Sequence, residues 1–303
     1  MAKNLLASPA TREYAYAYPL LAVLLWTGNT LVTKAAAGLI HPAAIAFYRW
    51  LGAGLLLTPF VARAVWQQRA VVGANWPRLA LLGGLGMAVY QGLAYEAART
   101  TSVVNMGIIV ALMPLFSSLL SATFAQEPLT RNRVGGALLS LTGLLVLTTR
   151  GQWSALGSGA LHTGDVLMVM AVGSNALYGV LLRRWALPLS TWQQLYVQIG
   201  FGLVLLLPFW LLAPASPLTV HNVPLVGYAA LAGSIGAPYC WMRGVQRLGP
   251  GRASLFMNLL PVLVALLAWA MLDEPVYAFH AVGGGLALAG VWWGQQSPRR
   301  VLA

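Results

Sequence analysis

Charged and strongly polar residues are spaced so widely along this chain that ten apolar stretches, each close to the length that crosses a bilayer, stand out between them. They cover residues 16–35, 43–62, 79–95, 103–124, 134–149, 166–182, 191–212, 223–242, 253–272 and 277–295. A hydrocarbon core is spanned by about 20 apolar residues in helical form. Ten such spans use roughly 200 residues, which leaves short loops and no space for a soluble catalytic domain. The pattern predicts an all-α integral membrane protein with ten transmembrane helices.

The ten stretches fall into two matching sets of five. Leu112, Pro114, Leu119, Leu120, Glu127, Pro128, Gly136, Leu139, Leu141 and Gly143 recur as Leu259, Pro261, Leu266, Leu267, Glu274, Pro275, Gly283, Leu286, Leu288 and Gly290, each 147 positions later. Asn29 and Asn175 pair the first stretch with the sixth, since each precedes a proline (Pro42, Pro188) by 13 residues. A unit with an odd number of spans, used twice in one membrane, has its second copy upside down. Inverted repeats of this kind occur in secondary transporters, and they imply alternating access. The expected division is residues 1–149 as the first five-helix repeat, 150–163 as an outer linker rich in Gly and Ser, and 164–303 as the second repeat.

Composition agrees with a lipid solvent: 59% of residues are hydrophobic and 8% charged, against about 25% charged in soluble domains. The net charge of +12 could mark a nucleic-acid binder, but the positions of the basic residues suggest topology instead. With a cytoplasmic N-terminus, the inner segments hold Lys3, Arg12, Arg63, Arg69, Arg78, Arg131, Arg133, Arg183, Arg184, Arg243, Arg247, Arg252, Arg299 and Arg300, fourteen of the eighteen. The outer segments hold Lys34, Arg99 and Arg150, and Arg49 lies inside the second span. The positive-inside rule then places both termini in the cytoplasm. The lone cysteine, Cys240, excludes an intramolecular disulfide and a CxxC metal or redox motif. The first apolar stretch is expected to be a retained helix and not a cleaved leader.

Pro114 and Pro261 fall about a third of the way into the fourth and ninth stretches, where a proline removes a backbone donor and kinks a helix. Such kinks suit a wet cavity and suit ordinary packing equally. Glu127-Pro128 and Glu274-Pro275 open the fifth and tenth stretches as helix starts. The small residues Gly136, Ser140, Gly143 and Gly283, Ala287, Gly290, Gly294 recur every three or four positions and allow close helix contact. Tyr14, Tyr16, Tyr18, Trp292 and Trp293 read as an interfacial aromatic belt.

A tryptophan-led first helix ending near a lysine (Trp26 to Lys34), a second helix opening with Pro42 and carrying Arg49, and the Pro-x12-Glu-Pro pattern used twice resemble the drug/metabolite transporter superfamily, EamA type. The resemblance covers roughly residues 17 to 296. It implies ten helices, cytoplasmic termini, a bacterial inner-membrane location and export of amino acids, metabolites or drugs. Arg49 departs from the duplication, because the matching region reads Gln193-Gln194-Leu195-Tyr196. An intramembrane charge normally faces the protein interior. Two roles stay open for it: a structural one, pairing with carbonyls or with Glu96, and a functional one.

Candidate substrate-binding residues follow from helical period. Trp26, Asn29, Thr30 and Thr33 share one face of the first helix. Asn175 and Tyr178 share a face of the sixth with Met168 and Ala171, and Gln198 lies on the face of Gln194 and Phe201 in the seventh. Gln91 with Tyr95 in the third helix, and Tyr239 with Tyr228 and Ile235 in the eighth, extend the set. Amides both donate and accept, and so suit a carboxylate and an ammonium, while aromatic rings suit apolar side chains. Hydrogen bonds between helices or a place in the aromatic belt are the alternatives for the same residues.

These features favour an exporter of hydrophobic or aromatic amino acids. A multidrug or other metabolite exporter coupled to protons is the main alternative. An intramembrane enzyme is disfavoured by the lack of an HExxH motif, and Gly84-Leu85-Gly86 sits inside a membrane stretch and is no dinucleotide loop. A channel is disfavoured by the inverted repeat. No cofactor, metal or nucleic acid is expected. All six acids (Glu13, Glu96, Glu127, Asp165, Asp273, Glu274) fall at helix ends or in loops, as do the histidines. Proton relays use such groups inside helices, so a facilitator is expected. The topology predicts that, with Cys240 replaced, a cysteine at His221 reacts with an impermeant thiol reagent from outside and one at Arg69 does not. The reverse pattern in whole-cell labelling refutes it.

Overall fold

The computed structural model describes residues 9–36, 38–97, 100, 109–110, 112–124, 130–149, 151–152, 163–260, 262–263 and 277–296. The described residues form helices joined by short turns. They are α1 (Pro9–Ala36), α2 (Pro42–Gln67), the short α3 (Arg69–Ala74), α4 (Trp76–Gly83) and α5 (Tyr90–Ala97). Then come α6 (Met113–Phe124), α7 (Arg131–Thr148), α8 (Thr163–Trp185), α9 (Thr191–Leu212), α10 (Val223–Tyr228) and α11 (Ala237–Leu248). Last are α12 (Pro250–Leu255), which runs on into a 3₁₀ turn at Phe256–Leu259, and α13 (Ala278–Gln295). Two π-helical segments complete continuous rods: Gly84–Val89 joins α4 to α5, and Ala229–Gly236 joins α10 to α11.

Local sequence sets the ends. At α2, His41 caps the helix by accepting at Nδ1 from the Ala43 amide (3.2 Å), and Pro42 fills the first position, where no donor is needed. At α9, Ser190 and Gln193 form a reciprocal capping box: the Gln193 amide donates to Ser190 Oγ (3.3 Å) and the Ser190 amide donates to Gln193 Oε1 (2.8 Å). Gly249, at φ 85°, makes the left-handed turn between α11 and α12 that a residue with a Cβ resists. Pro114 lies in the first turn of α6, after a turn at Leu112. Pro261 and most of the linker lie outside the described residues.

Among the described residues, four helical stretches are long and apolar enough to cross a membrane: Pro42–Gln67, Thr163–Trp185, Thr191–Leu212 and Val223–Leu248. The last is the rod of α10, its π segment and α11. Exposed Leu55, Phe60, Phe209 and Leu212 turn outward from α2 and α9. In water this would be a large unpartnered apolar surface; in lipid it meets a matching solvent. The polar residues Arg49, Gln194, Gln198, Ser234 and Asn258 are buried instead.

Helices pack in cross-paired fashion. α1 lies on α11, α5 on α8, α2 on α9, and α7 on α13. The α7–α13 crossing is where the two small-residue ridges meet. A Cβ at Gly136 would stand 2.5 Å from the Gly294 nitrogen and 2.6 Å from the Gly290 oxygen. One at Gly143 would stand 2.5 Å from both the Ala287 nitrogen and the Gly283 oxygen. Rising numbers on α7 meet falling numbers on α13, so the helices run antiparallel with backbones in contact. Between the glycines, Ser140 Oγ donates to the Ala287 carbonyl (3.2 Å) and accepts from Asn258 Nδ2 (3.0 Å).

Gly143→Ala must force these backbones apart. The expected cost is about 1–3 kcal/mol of stability, the range for overpacking, read as a lower melting temperature of the detergent-purified protein. Gly285→Ala, on α13 with no atom within 4 Å of the added methyl, should leave it unchanged or raised. Equal behaviour of the two variants would refute the close crossing.

Candidate functional site

The π segments shape the middle of the molecule. A π turn carries one residue more than an α turn, so side chains beyond it are rotated relative to a strict 3.6 period, and local carbonyls become accessible. Each segment holds a glycine facing a helix of the other half. A Cβ at Gly86 would stand 3.0 Å from Tyr178 Cε2, and one at Gly233 would stand 2.5 Å from Asn29 Oδ1 and 2.9 Å from Arg49 Nη2. These two glycines are 147 positions apart.

Between the segments lies a cavity of about 200 Å³. Its wall combines Trp26 and Asn29 from α1, Arg49 and Trp50 from α2, Tyr90 and Gln91 from α5, Asn175 and Tyr178 from α8, and Trp241 from α11. Met87, Met257 and Leu260 add apolar surface. Arg49 is 4% exposed, and its Nε donates to Ser234 Oγ at 2.7 Å. Ser234 can accept because its own proton goes to the Ala229 carbonyl (2.9 Å), five residues back along the π segment. The guanidinium lies 5.4 Å from the Trp50 ring centre. Trp50 Nε1 donates to Gln91 Oε1 (3.3 Å), and Trp26 Nε1 donates to the Gly233 carbonyl (3.4 Å). The rings of Trp26 and Trp241 stand 5.6 Å apart, tilted by 54°. Asn175 Nδ2 donates to Met113 Sδ (3.8 Å), a weak acceptor. Among the described residues, no three His, Cys, Asp or Glu side chains come together to hold a metal ion.

Of the residues singled out by helical period, Trp26, Asn29, Gln91, Asn175 and Tyr178 meet at this one cavity. Gln198 stands behind it, fully buried, and its Oε1 accepts from the Tyr178 hydroxyl (3.1 Å); it positions Tyr178. Tyr239 lies elsewhere, stacked on Trp192 at 3.9 Å and 15°. The π segment before it changes the helical phase, so Pro238 and Trp241 face the cavity in its place. The side chains of Thr30, Thr33 and Tyr95 fall outside the described residues. Arg49, Trp50, Tyr90 and Trp241 line the cavity without having been picked out as a site. For Arg49 the signal was present, a charge inside an apolar span; for Trp241 the irregular helix hid it. A larger groove of about 500 Å³ between α2 and α9, lined by Leu51, Leu55, Tyr196, Val197 and Val204, is almost wholly apolar and lies on the outward face of these helices.

A multi-pass helical membrane protein with a small polar and aromatic cavity between its helices is the architecture of a solute carrier. The chain belongs to the EamA-like transporter family, whose model matches residues 14–149 and 162–293. It is a membrane transporter and not an enzyme. It is 25% identical to the uncharacterized transporter YyaM of Bacillus subtilis, over 90% of each chain. It is 27% identical to a probable terminal-alkyne amino-acid exporter of Streptantibioticus cattleyicolor, over 71% of each chain. A crystal structure of a protein 23% identical to it shares its fold, with a TM-score of 0.75 covering 93% of this chain and 96% of that one.

Gly233→Ala should displace both Asn29 and Arg49 and lower transport at least several-fold while folded protein persists. Gly227→Ala, on α10 with open space around the added methyl, should transport normally. Proteoliposome uptake at matched protein content reads both; wild-type transport by Gly233→Ala would remove these residues from the site.

Proposed function

We propose that this protein exports amino acids with hydrophobic or aromatic side chains across the bacterial inner membrane, by alternating access of two inverted five-helix repeats with both termini cytoplasmic. The observation that carries the substrate reading is the cavity wall itself, which sets the amides of Asn29, Gln91 and Asn175 among the rings of Trp26, Tyr178 and Trp241. Amides and rings together suit a polar head with an apolar tail. The relative in Streptantibioticus cattleyicolor whose name includes amino-acid export supports the same class. At about 200 Å³ the cavity is smaller than the roughly 300–1,000 Å³ of drug-sized pockets. That favours amino acids over multidrug export.

Reciprocal packing supports the inverted repeat. α1 lies on the rod of α10 and α11 as α8 lies on the rod of α4 and α5, the partners exchanged between halves. In the α7–α13 crossing, Ser140 bonds to Ala287, its own counterpart 147 positions on. Gly136 meets Gly290, the counterpart of Gly143, and Gly143 meets Gly283, the counterpart of Gly136. A two-fold axis in the membrane plane would produce this exchange. Coupling to an ion gradient is not part of the reading. No Asp, Glu or His is among the described residues lining the cavity. Glu96 is exposed, and Asp165 sits in the first turn of α8, where it complements the helix dipole.

Counterflow in proteoliposomes tests this with radiolabelled amino acids and a matching panel of cationic drugs. Aromatic amino acids should exchange without any imposed ion gradient. Asn29→Ala, Asn175→Ala and Gln198→Leu should each weaken transport several-fold, the equivalent of about 1 kcal/mol per hydrogen bond. Uptake confined to drugs overturns the substrate class. Accumulation that appears only with a pH or sodium gradient, and is abolished in Glu96→Gln, overturns the facilitator.

A further inference from the structure

The outward faces of α2 and α9 form a second concave surface, separate from the central cavity. Two grooves lie in line between these helices. One, of about 500 Å³, runs from Leu51 to Thr58 on α2 and from Tyr196 to Val204 on α9. The other, of about 410 Å³, continues it from Leu57 to Ala64 beside Ser190, Trp192 and Gln193. From Leu51 to Ala64 is about 20 Å at 1.5 Å per residue. That exceeds the roughly 15 Å of one leaflet, half of the hydrocarbon core. Gly200 keeps the floor open, since a Cβ there would meet no atom within 4 Å. The polar groups of the wall are paired with one another: Thr58 Oγ1 donates to the Gly54 carbonyl (2.7 Å) and so accepts from the Tyr196 hydroxyl (3.0 Å). A surface paired in this way takes hydrocarbon at no cost in lost hydrogen bonds.

One mouth of the groove is basic. Where α2 finishes and α9 begins, Arg63 and Arg69 are exposed, and Arg69 lies 5.4 Å from the centre of the exposed Trp66 ring. Gln193 Nε2 donates to the Ala64 carbonyl (3.0 Å), and its backbone amide donates to Ser190 Oγ (3.3 Å), so Arg63 and Ser190 flank the same mouth. Ser190 keeps its own proton for an acceptor outside the helix. The chain has no Asp or Glu from residue 14 to 95 or from 166 to 272, so neither helix of the groove supplies a counter-charge. We propose that this groove binds one anionic glycerophospholipid, with an acyl chain laid along α2 and α9 and its phosphate at Arg63 and Ser190. An arginine matches a phosphate through paired N–H···O bonds, and basic residues between membrane helices recognise anionic headgroups. A zwitterionic lipid fills the groove equally but brings a cation of its own to the basic mouth. A second copy of this chain, seated on the same face by a two-fold axis along the membrane normal, sets like charges on one side of the bilayer, which opposes that pairing.

Native mass spectrometry of the purified full-length protein, freed of lipid, reads lipid retention and oligomeric state together. The protein is titrated with dioleoylphosphatidylglycerol, dioleoylphosphatidylcholine or glycerol 1-phosphate. One phosphatidylglycerol per chain should be retained at least tenfold more tightly than phosphatidylcholine, and glycerol phosphate, which lacks the chain, should not be retained. This order on the wild-type protein requires no variant to fold. Gly200→Leu places a side chain in open space and exchanges glycine for a better helix former, so it should fold and lose the lipid. Gly285→Leu, with open space on α13, should keep it. Arg63→Gln should lower phosphatidylglycerol to the level of phosphatidylcholine. Equal retention of the two lipids, or a preference that survives Gly200→Leu or Arg63→Gln, overturns the assignment. Glycerol phosphate held as tightly as phosphatidylglycerol leaves a phosphate site without the groove and overturns it too. A dimer that Gly200→Leu dissociates gives the groove to a second copy, which is the remaining way for the proposal to fail.

Discussion

A guanidinium buried among apolar helices must be answered by donors' natural partners on the protein itself, and the middle of this molecule is built around that requirement. Arg49 comes from α2, yet its acceptor, Ser234, belongs to the π segment ahead of α11. Ser234 is able to accept because the wider π turn offers it the Ala229 carbonyl. The adjacent Gly233 has no side chain, which lets Arg49 and Asn29 approach the backbone there. A hydrogen bond to a charged group is typically worth about 1.5–3 kcal/mol. That bond ties the α2 wall of the cavity to the α10–α11 rod more firmly than apolar contact would.

The duplicated sequence makes two walls, and divergence makes them chemically different. Gly86 and Gly233 occupy matching positions 147 apart, and each brings its backbone close to a helix of the other half. Next to them, however, stand Met87 in the first half and Ser234 in the second. The serine wall holds a cation. The methionine wall faces Tyr178, whose hydroxyl is turned to Gln198. A molecule in the cavity therefore meets a cation beside the Trp50 ring on one side and the Tyr178 ring on the other.

Much of the fold was legible because spans in lipid are set by apolar length, which a sequence displays directly. The stretch 191–212 matches α9 because Ser190 and Gln193 cap it where the apolar run begins. Where helices are regular, residues that share a face by helical period come together: Trp26 and Asn29 on α1, and Asn175 and Tyr178 on α8, reach the same cavity. Helical period fails beyond the π segment, where Tyr239 was expected and Trp241 is found, since no residue type announces an inserted residue in a helix. Gln198 shows a different limit. Its face was right, but period alone does not say whether that face meets a cavity or the helix in front of it. The short α3 was not foreseen either, because six residues following a long apolar span carry too little pattern to separate helix from loop.

The contacts between the halves are of two kinds, and the difference matters for the alternating-access reading. At the α7–α13 crossing, backbone meets backbone at Gly136, Gly143 and Gly290, and the Ser140 hydroxyl bonds across. Sliding there would bring atoms already in contact into collision, so this interface resists shear. Around the cavity the halves meet through side chains: Trp26 beside Trp241, Tyr178 over Gly86, and Arg49 on Ser234. The rings of Trp26 and Trp241 stand 5.6 Å apart and tilted, and Trp26 is also held by its hydrogen bond to the Gly233 carbonyl in the π segment. A close-packed spine beside walls joined through side chains suits the proposed rocking carrier, because packed interfaces move between discrete arrangements and do not deform continuously. The irregular turns thus do two jobs with one feature: they open the backbone to Arg49, and they place the least regular hydrogen bonding in the wall that the proposed alternating access would require to move.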